Sequence, residues 1–280
     1  MEMWYTEEHR KGVRWSLKVK ESVYTAQSEF QRIDIFDTCD FGRVMTLDGL
    51  MMVNEKDEFI YHEMIVHVAM ATNPAIKRVL VIGGGDGGTV RELVRYPAIE
   101  KIDMVEIDEM VVTAAREFLP YTSGGLEDER VTLHFKDGIE FVRGLKGAYD
   151  LILVDSTDPI GPGEGLFTHA FYTDCFEALG DQGILINQKE SPFYEHTARE
   201  MKRSHEKIIR IFPVVKTYQY HMPSYPSGHW LFGFASKGLN PGEFDREAWE
   251  ALGIATRYYN PEIHKGAFML PTYVEEMLSE

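Results

Sequence analysis

The chain has 280 residues, of which 44% are hydrophobic and 26% are charged, and its formal net charge is −16. These values are typical of a globular protein with one elaborated domain or two, and no segment approaches the ~20 apolar residues of a membrane helix. The acidic balance disfavours nucleic acid as a partner, because phosphates require a basic surface, and mildly favours a polycationic small molecule.

The N-terminus and the cysteines indicate a cytoplasmic protein. Residues 1–12 contain five charged side chains and no apolar core segment, so they do not resemble a signal peptide. Only Cys39 and Cys175 are present, without a CxxC motif, which fits a reducing compartment and gives no support to a structural zinc site. We therefore expect a cytoplasmic location and no bound metal.

The first part of the chain predicts a small antiparallel β unit. Apolar and polar residues alternate in segments rich in Val, Ile, Phe and Tyr, at residues 15–24, 30–36 and 43–47. From Asp57 the spacing of apolar residues becomes helical, and this pattern ends before Asn73 and Pro74. We therefore expect an N-terminal β domain over residues 1–56 and a second domain over residues 57–280.

Beyond residue 74, strand and helix patterns alternate. The predicted strands are residues 78–82, 101–106, 130–135, 149–154 and 183–188. The helical segments between them begin near Gly88, Glu109, Ile139 and Thr168. This alternation predicts an α/β fold with a doubly wound parallel sheet and helices on both faces. A longer helix near residues 198–211 and a strand hairpin at residues 214–220 and 229–235 follow.

A glycine-rich loop, GGGDGG at residues 83–88, joins the first of these strands to the next helix. Such loops usually bind phosphate, because bare backbone amides and the positive end of a helix meet the anion. Asp86 places a carboxylate in the loop, which favours a nucleoside that carries positive charge, such as a sulfonium or an ammonium. Gly83, Gly85 and Gly88 also satisfy GxGxxG, which by itself would allow a nicotinamide enzyme, although Asp86 would repel the pyrophosphate.

Acidic residues follow four successive strands of the predicted sheet. Ligands of doubly wound sheets bind beyond the carboxyl ends of the strands. The acids at these ends are Asp86, Glu106, Asp137 and Asp155. Glu106 follows Gly83 by 106 − 83 = 23 residues, close to the ~20-residue spacing at which an acid binds the ribose hydroxyls of adenosine, and Asp137 is then placed for the adenine amino group. Capping of the following helices is the alternative explanation for these acids.

The helix predicted from Asp57 contains two histidines, a residue type that often binds metal ions. His62 and His67 are five residues apart, which places them about 140° apart around the helix axis, so they cannot share a metal ion. We expect His67 to be a packed or hydrogen-bonded residue. His62, beside Tyr61, is less easily explained by packing.

Residues 155–165 combine acids with alternating glycines and prolines. Such a stretch is typical of a lid over a cleft or of an ordinary surface loop. Asp155 and Asp158 at its entrance favour a pocket for ammonium groups. Tyr225, which lies among prolines, is either a packing residue of a turn or an aromatic wall against a cation.

Four segments together strongly resemble the spermidine synthases, a branch of the polyamine aminopropyltransferases. They are residues 57–64 (DEFIYHEM), 83–88 (GGGDGG), 155–162 (DSTDPIGP) and 225–228 (YPSG). The resemblance extends from about residue 4 to residue 273. It implies an N-terminal β domain, a Rossmann-like catalytic domain of the methyltransferase type, and a homodimer or homotetramer.

The resemblance also implies a reaction. Putrescine and decarboxylated S-adenosylmethionine would give spermidine and methylthioadenosine, with the nucleoside as co-substrate and no permanently bound cofactor. Asp155 matches the family's proton acceptor, and Asp86 would bind the ammonium of the aminopropyl arm. The positions that would line the diamine channel are Tyr61, His62, Asp158, Gln188 and Tyr225. The positions that would hold the nucleoside are Gln31, Gly83, Gly85, Glu106, Asp137, Gly138 and Pro162.

Two further alternatives stay open at the level of sequence. One is an S-adenosylmethionine-dependent N-methyltransferase that acts on a diamine, which the mass of the product distinguishes. The other is a noncatalytic polyamine-binding protein, which would bind putrescine without releasing methylthioadenosine. The breadth of amine acceptors and the choice between dimer and tetramer depend on packing that the sequence does not show.

Overall fold

The computed structural model describes residues 2–156 and 165–279. The first five strands form an antiparallel sheet in the order β1–β2–β3–β4–β5. They are β1 (Met3–Arg10), β2 (Val13–Gln27), β3 (Arg32–Thr38), β4 (Arg43–Leu47) and β5 (Leu50–Asn54). The antiparallel unit predicted from the alternation of residues is therefore confirmed, although β1 and β5 were not predicted. Both are edge strands, and β1 carries four consecutive charged or titratable residues, so neither shows a clear apolar alternation.

Helix α1 (Glu58–Thr72) follows the first sheet, and 13 of its 15 residues are buried. It begins after Asp57 and ends at Asn73, as the sequence predicts. Its apolar side chains, such as Met64 and Val68, belong to the large core cluster that also covers one face of the second sheet. The helix is buried nearly all round, because the second sheet and the C-terminal segments enclose it.

The second sheet has seven strands in the order β11–β12–β10–β9–β6–β7–β8. They are β6 (Arg78–Gly83), β7 (Lys101–Glu106), β8 (Val131–Phe135), β9 (Tyr149–Asp155), β10 (Leu179–Lys189), β11 (Val214–His221) and β12 (His229–Ser236). Strands β8, β7, β6, β9 and β10 are parallel neighbours, and β12 is antiparallel to both β10 and β11. The chain order changes direction between β6 and β9, which is where ligands bind in doubly wound folds.

Helices cover both faces of this sheet. They are α2 (Gly88–Leu93), α3 (Glu109–Phe118), α4 (Pro120–Ser123), α5 (Gly138–Val142), α6 (His169–Ala178), α7 (Glu195–Ile208), α8 (Arg246–Ala251), α9 (Pro261–Ala267) and α10 (Thr272–Ser279). Along β6, Val79 and Val81 face the core cluster that contains α1, while Leu80 and Ile82 face the cluster that contains α6. Apolar residues on both faces are the signature of a buried parallel strand, so the predicted α/β doubly wound fold is confirmed.

The first sheet packs against helix α3. Ile33, Ile35 and Met45 of the first sheet pack with Val111 and Ala115 of α3 in one buried cluster. The boundary expected near residue 57 coincides with the end of β5 and the start of α1, but a division into two folding units stays a prediction. Within residues 2–156 and 165–279, no helix has the length and apolar character required to cross a bilayer.

The three C-terminal helices α8–α10 were not predicted, because they are short and take their positions from other elements, such as α1 for α8 and α7 for α10. Glu63 of α1, which is buried, accepts hydrogen bonds from the backbone N–H groups of Arg257, Tyr258 and Tyr259, each at 2.8 Å. One carboxylate thus satisfies three donors that the segment before α9 cannot pair by itself.

We expect Glu63→Ala to lower the free energy of unfolding by about 3 kcal/mol, because the change leaves three donors, of which that of Tyr259 is buried, without their acceptor. The measurement is urea denaturation of the variant and the wild type under matched conditions. Glu276→Ala, which removes an exposed carboxylate from α10, serves as the control and should change stability by about 0.5 kcal/mol or less. Equal stability of the two variants would contradict the anchoring role of Glu63.

Candidate active site

The site lies where the carboxyl ends of β6 and β9 are neighbours. Gly83, the last residue of β6, pairs in register with Asp155, the last residue of β9. Gly83 has a φ of +85°, and a Cβ there would collide with the carbonyl oxygen of Asp155. A Cβ on Gly88 would overlap the ring of His62. Glycine at these two positions therefore lets the loop turn sharply and lets α1 approach it.

One cavity of about 210 Å³ opens at this edge of the sheet. It brings together every predicted site residue that the structure describes: Gln31, Tyr61, His62, Gly83, Gly85, Asp86, Glu106, Asp137, Gly138, Asp155, Gln188 and Tyr225. The predicted site residues Asp158 and Pro162, and most of the proposed lid, lie outside the described residues. Residues as distant in the chain as Gln31 and Tyr225 therefore share one space, although their individual roles stay predictions.

Asp155 is held by two hydroxyl groups. The Tyr61 hydroxyl donates to Oδ1 at 2.7 Å, and the Thr89 hydroxyl donates to Oδ2 at 2.6 Å. Burial, together with the negative charge of Asp86, raises the pKa of Asp155, and the two hydroxyl donors only partly offset this. The raised pKa makes Asp155 a stronger proton acceptor than an exposed aspartate.

Asp86 belongs to a buried chain of alternating charges. Nε2 of His62 lies 3.4 Å from Oδ1 of Asp86, and Nδ1 of His62 lies 2.6 Å from Glu58. The guanidinium of Arg91 donates to both oxygens of Glu58 at 2.9 Å. Oδ1 of Asp86 also accepts the N–H of Gly88 at 2.8 Å. Within the described residues both contacts of Asp86 involve Oδ1, so Oδ2 remains available to a ligand.

This arrangement favours the imidazolium form of His62. Burial alone would lower the pKa of His62, but the carboxylates of Asp86 and Glu58 outweigh it and raise that pKa to about 10. In return, the positive charge of His62 and the Gly88 N–H outweigh burial and lower the pKa of Asp86. His62, which packing did not readily explain from sequence, thus acts as the counter-ion of two buried acids.

Glu106 lies beside the glycine loop. An added Cβ on Gly85 would come within 2.9 Å of Oε2 of Glu106, so a side chain there would require the carboxylate to shift. Burial raises the pKa of Glu106 to about 7, with the negative charges of Asp108 and Asp155 adding to the effect. A buried acid of this kind is suited to hydroxyl donors or to a cation nearby.

One of the four acids after the strands, Asp137, does cap a helix, as the alternative explanation holds, and so does Asp108, two residues after Glu106. Asp108 caps α3 by accepting the N–H of Met110, and Asp137 caps α5 by accepting the N–H of Ile139. Asp108 also accepts a hydrogen bond from Gln31 at 3.1 Å and is outside the cavity lining. Asp137 lines the cavity as well as capping its helix, so the two explanations are compatible for that residue.

Gln188 and Tyr225 close the opposite side of the cavity. Oε1 of Gln188 is buried and has no hydrogen-bond partner among the described residues. Tyr225 donates its hydroxyl to the carbonyl of Met52 at 2.6 Å and packs edge-to-face on Trp230, with ring centroids 5.2 Å apart. Tyr225 is therefore both a packing residue of its turn and part of the cavity wall.

Several lining residues were missed from the sequence. Thr89 and Glu58 act through Asp155 and His62, while Glu7 and His9 of β1 and Trp230 of β12 line the cavity directly. The motif at residues 83–88 extends by one residue to Thr89, so its hydroxyl was within reach of sequence reasoning. No local pattern marks Glu7, His9 or Trp230, because distant elements bring them to the site.

The cavity is strongly acidic. Its described lining contains no lysine or arginine but includes the carboxylates of Glu7, Glu58, Asp86, Glu106, Asp137 and Asp155. Glu58 alone among these acids pairs with an arginine within the described residues. The remaining negative charge favours a ligand with more than one positive charge.

The second histidine of α1 lies outside this site. His67 is fully buried, with Nδ1 2.6 Å from the Tyr96 hydroxyl and Nε2 3.1 Å from Glu92. This confirms the prediction of a packed, hydrogen-bonded residue. The described parts of the chain contain no group of three or more His, Cys, Asp or Glu side chains that could hold a metal ion.

The raised pKa of His62 leads to a prediction about stability. The folded-state pKa of about 10 exceeds the unfolded value of 6.5, so the bound proton stabilises the fold fully below pH 6.5 and this contribution is lost as pH rises toward 10. We expect the free energy of unfolding of the wild type to decrease over this range relative to His62→Gln. Parallel pH profiles for the two proteins, or an imidazole NMR titration centred near 6.5, would contradict the imidazolium assignment.

The sequence matches two family models that together cover most of the chain. Residues 58–246 match the spermine/spermidine synthase domain, and residues 3–55 match the spermidine synthase tetramerisation domain. A polyamine aminopropyltransferase of Clostridium perfringens (strain ATCC 13124) is 64% identical over 278 residues, which is 99% of this chain and 98% of that protein. One of Clostridioides difficile (strain 630) is 61% identical over 282 residues, which is 100% of each.

Solved structures agree with these matches. A spermidine synthase crystallised with the transition-state analogue AdoDATO has a TM-score of 0.96 and 42% identity, covering 99% of this chain and 95% of that one. A spermidine synthase from Thermotoga maritima has a TM-score of 0.93 and 40% identity, and the match covers 99% of this chain and 94% of that one. The chain therefore belongs to the spermine/spermidine synthase family and is an aminopropyltransferase.

Proposed function

We propose that this aminopropyltransferase is a spermidine synthase that moves the aminopropyl group of decarboxylated S-adenosylmethionine to putrescine, giving spermidine and methylthioadenosine. The observation that carries the proposal is the convergence of Asp86 and Asp155 in a cavity whose described lining contains no lysine or arginine. A sulfonium nucleoside with an ammonium arm and a diammonium acceptor match that charge. The known complex of a similar spermidine synthase with AdoDATO supports the nucleoside as co-substrate.

The nucleoside would occupy the side of the cavity nearest the glycine loop. Glu106 would accept hydrogen bonds from the ribose hydroxyls, with Gln31 close by through its contact with Asp108. Asp137 and Gly138 would border the adenine, at the start of α5. Oδ2 of Asp86 would accept the ammonium of the aminopropyl arm, while Oδ1 stays with His62 and Gly88.

The acceptor would lie between Tyr61, Tyr225 and Asp155. One amine nitrogen of putrescine attacks the carbon bonded to sulfur, so a C–N bond forms while the C–S bond breaks and its electron pair goes to sulfur. The nitrogen must first lose a proton, which costs roughly 4 to 5 kcal/mol at pH 7 for an ordinary amine. Asp155, with its raised pKa, accepts the hydrogen bond and the proton that this nitrogen releases. Much of the remaining rate acceleration would come from holding the nitrogen in line with the C–S bond that breaks.

We also propose that the enzyme acts in the cytoplasm as a homodimer or homotetramer. The match of residues 3–55 to a tetramerisation domain supports an oligomer built through the first sheet. Cys39 and Cys175 are both free thiols, which is in keeping with a reducing compartment.

The reaction itself is tested by incubating the purified protein with decarboxylated S-adenosylmethionine and a panel of amines, followed by mass spectrometry. We expect putrescine to gain one aminopropyl group and methylthioadenosine to appear in equal amount. A product that has gained a methyl group, or no product from putrescine, would overturn the proposal.

Asp155→Asn should lower kcat by at least about 100-fold, because the amide cannot accept the proton from the attacking nitrogen. Binding of methylthioadenosine, measured by calorimetry, should survive. Asp150→Asn at the other end of β9 is the matched control and should keep normal turnover. A kcat for Asp155→Asn within about tenfold of the wild type would refute its role as proton acceptor.

Asp86→Asn should relax discrimination between decarboxylated and intact S-adenosylmethionine. The intact cofactor carries a carboxylate near the position proposed for the ammonium, and Asp86 repels it. We expect the ratio of the two Kd values to fall by about tenfold or more. Glu117→Gln, which removes an exposed charge on α3, controls for net charge, and an unchanged ratio in Asp86→Asn would count against this account.

A further inference from the structure

The end of β1 reaches the cavity with two titratable side chains that the proposed reaction does not use. Glu7 and His9, two residues apart on one strand face, both line the cavity. The side chain of His9 is 10% exposed, and its Nδ1 lies 3.8 Å from Oε1 of Glu7. Its other nitrogen, Nε2, is buried and has no hydrogen-bond partner among the described residues.

The ring of His9 is fixed in place by the segment that begins α7. Its centroid lies 4.7 Å from that of Tyr194, and the guanidinium of Arg10 lies over the same tyrosine, 5.8 Å from its centroid. Arg10 also contacts His196. Ser191, just before this segment, shares a hydrogen bond of 2.7 Å with Ser227 in the turn that carries Tyr225. His9 therefore lines the cavity on one side and packs on Tyr194, outside the cavity lining, on the other.

Glu7 orients the histidine. Glu7 is itself buried and accepts hydrogen bonds from the Tyr5 hydroxyl at 3.1 Å and from the Met51 N–H at 3.0 Å. These donors and His9 outweigh burial and lower the pKa of Glu7, so it is a carboxylate. A carboxylate facing Nδ1 favours the proton on that nitrogen, which leaves Nε2 as an acceptor. An acceptor buried without a partner is unfavourable until a donor reaches it.

We propose that His9 is a specificity-determining residue, whose Nε2 accepts an N–H from the ammonium at the non-reacting end of the acceptor diamine. The inference rests on the proposed function, because it requires a diamine with one end at Asp155. Glu7 positions His9 and adds negative charge beside the same ammonium. The wall formed by Glu7, His9 and the turn at Tyr225 then selects acceptors with a second positive end.

The test compares putrescine with butylamine, which has the same four carbons and lacks the second amine. His9→Phe keeps a ring to pack on Tyr194 but removes the nitrogen, and His9→Gln keeps an acceptor. We expect His9→Phe to raise the KM for putrescine by about tenfold with little change in kcat, and His9→Gln to restore part of the loss. The KM of butylamine, or its inhibition constant where it is not turned over, should stay unchanged, as should the KM for decarboxylated S-adenosylmethionine.

Two results would overturn the inference. One is an unchanged preference for putrescine over butylamine in a His9→Phe variant with normal thermal stability. The other is an equal loss of affinity for both amines, which would indicate that the residue acts only through the structure of the wall. Absence of spermidine formation by the wild type would instead overturn the proposed function, so the two failures are distinguishable.

Discussion

The structure depends on carboxylates that are held close together, partly buried, without enough positive charge to balance them. Asp86, Glu106 and Asp155 lie at the ends of three neighbouring strands, and burial with mutual repulsion raises the pKa of Glu106 and Asp155. Among the described residues, His62, which lies between Asp86 and Glu58, and Arg91, which pairs with Glu58, offset part of this charge. The free energy of unfolding is therefore lower than a neutral site would allow, and a cationic ligand relieves the repulsion. The same excess of negative charge thus favours a cationic ligand and raises the pKa of Asp155.

The fold stabilises this excess of negative charge with hydrogen-bond donors and a counter-ion that belong to packed helices. Tyr61 comes from the buried helix α1 and Thr89 from the first turn of α2, so both oxygens of Asp155 are fixed by packed groups. Gly88 lets α1 approach the loop closely enough for His62 to reach Asp86. On α1, the residues that contact the acids therefore lie next to residues that pack in the core.

The parts of the fold that could be predicted from sequence are those with strong local periodicity. The buried strands of the second sheet and the acids that follow them were found because strand ends in a parallel sheet meet at one edge. Strands β1 and β5 were missed because edge strands take their pairing from neighbours, and α8–α10 because they depend on anchors such as Glu63. Glu7, His9 and Trp230 were missed for a related reason, since only tertiary packing brings them to the cavity. The proposed lid lies outside the described residues and stays a prediction.

The first sheet is part of the site as well as a candidate surface for assembly. Asn54 donates to Asp57 at 2.7 Å and to Ser224 at 2.9 Å, and Asp57 accepts the N–H of Ser224 at 3.0 Å. This buried network joins the end of β5, the start of α1 and the turn that carries Tyr225. Because the cavity wall at Tyr225 is built across that junction, its shape depends on how the first sheet is held against the rest of the chain. Changes in the first sheet can therefore alter the shape of this wall while the acids at the strand ends stay in place.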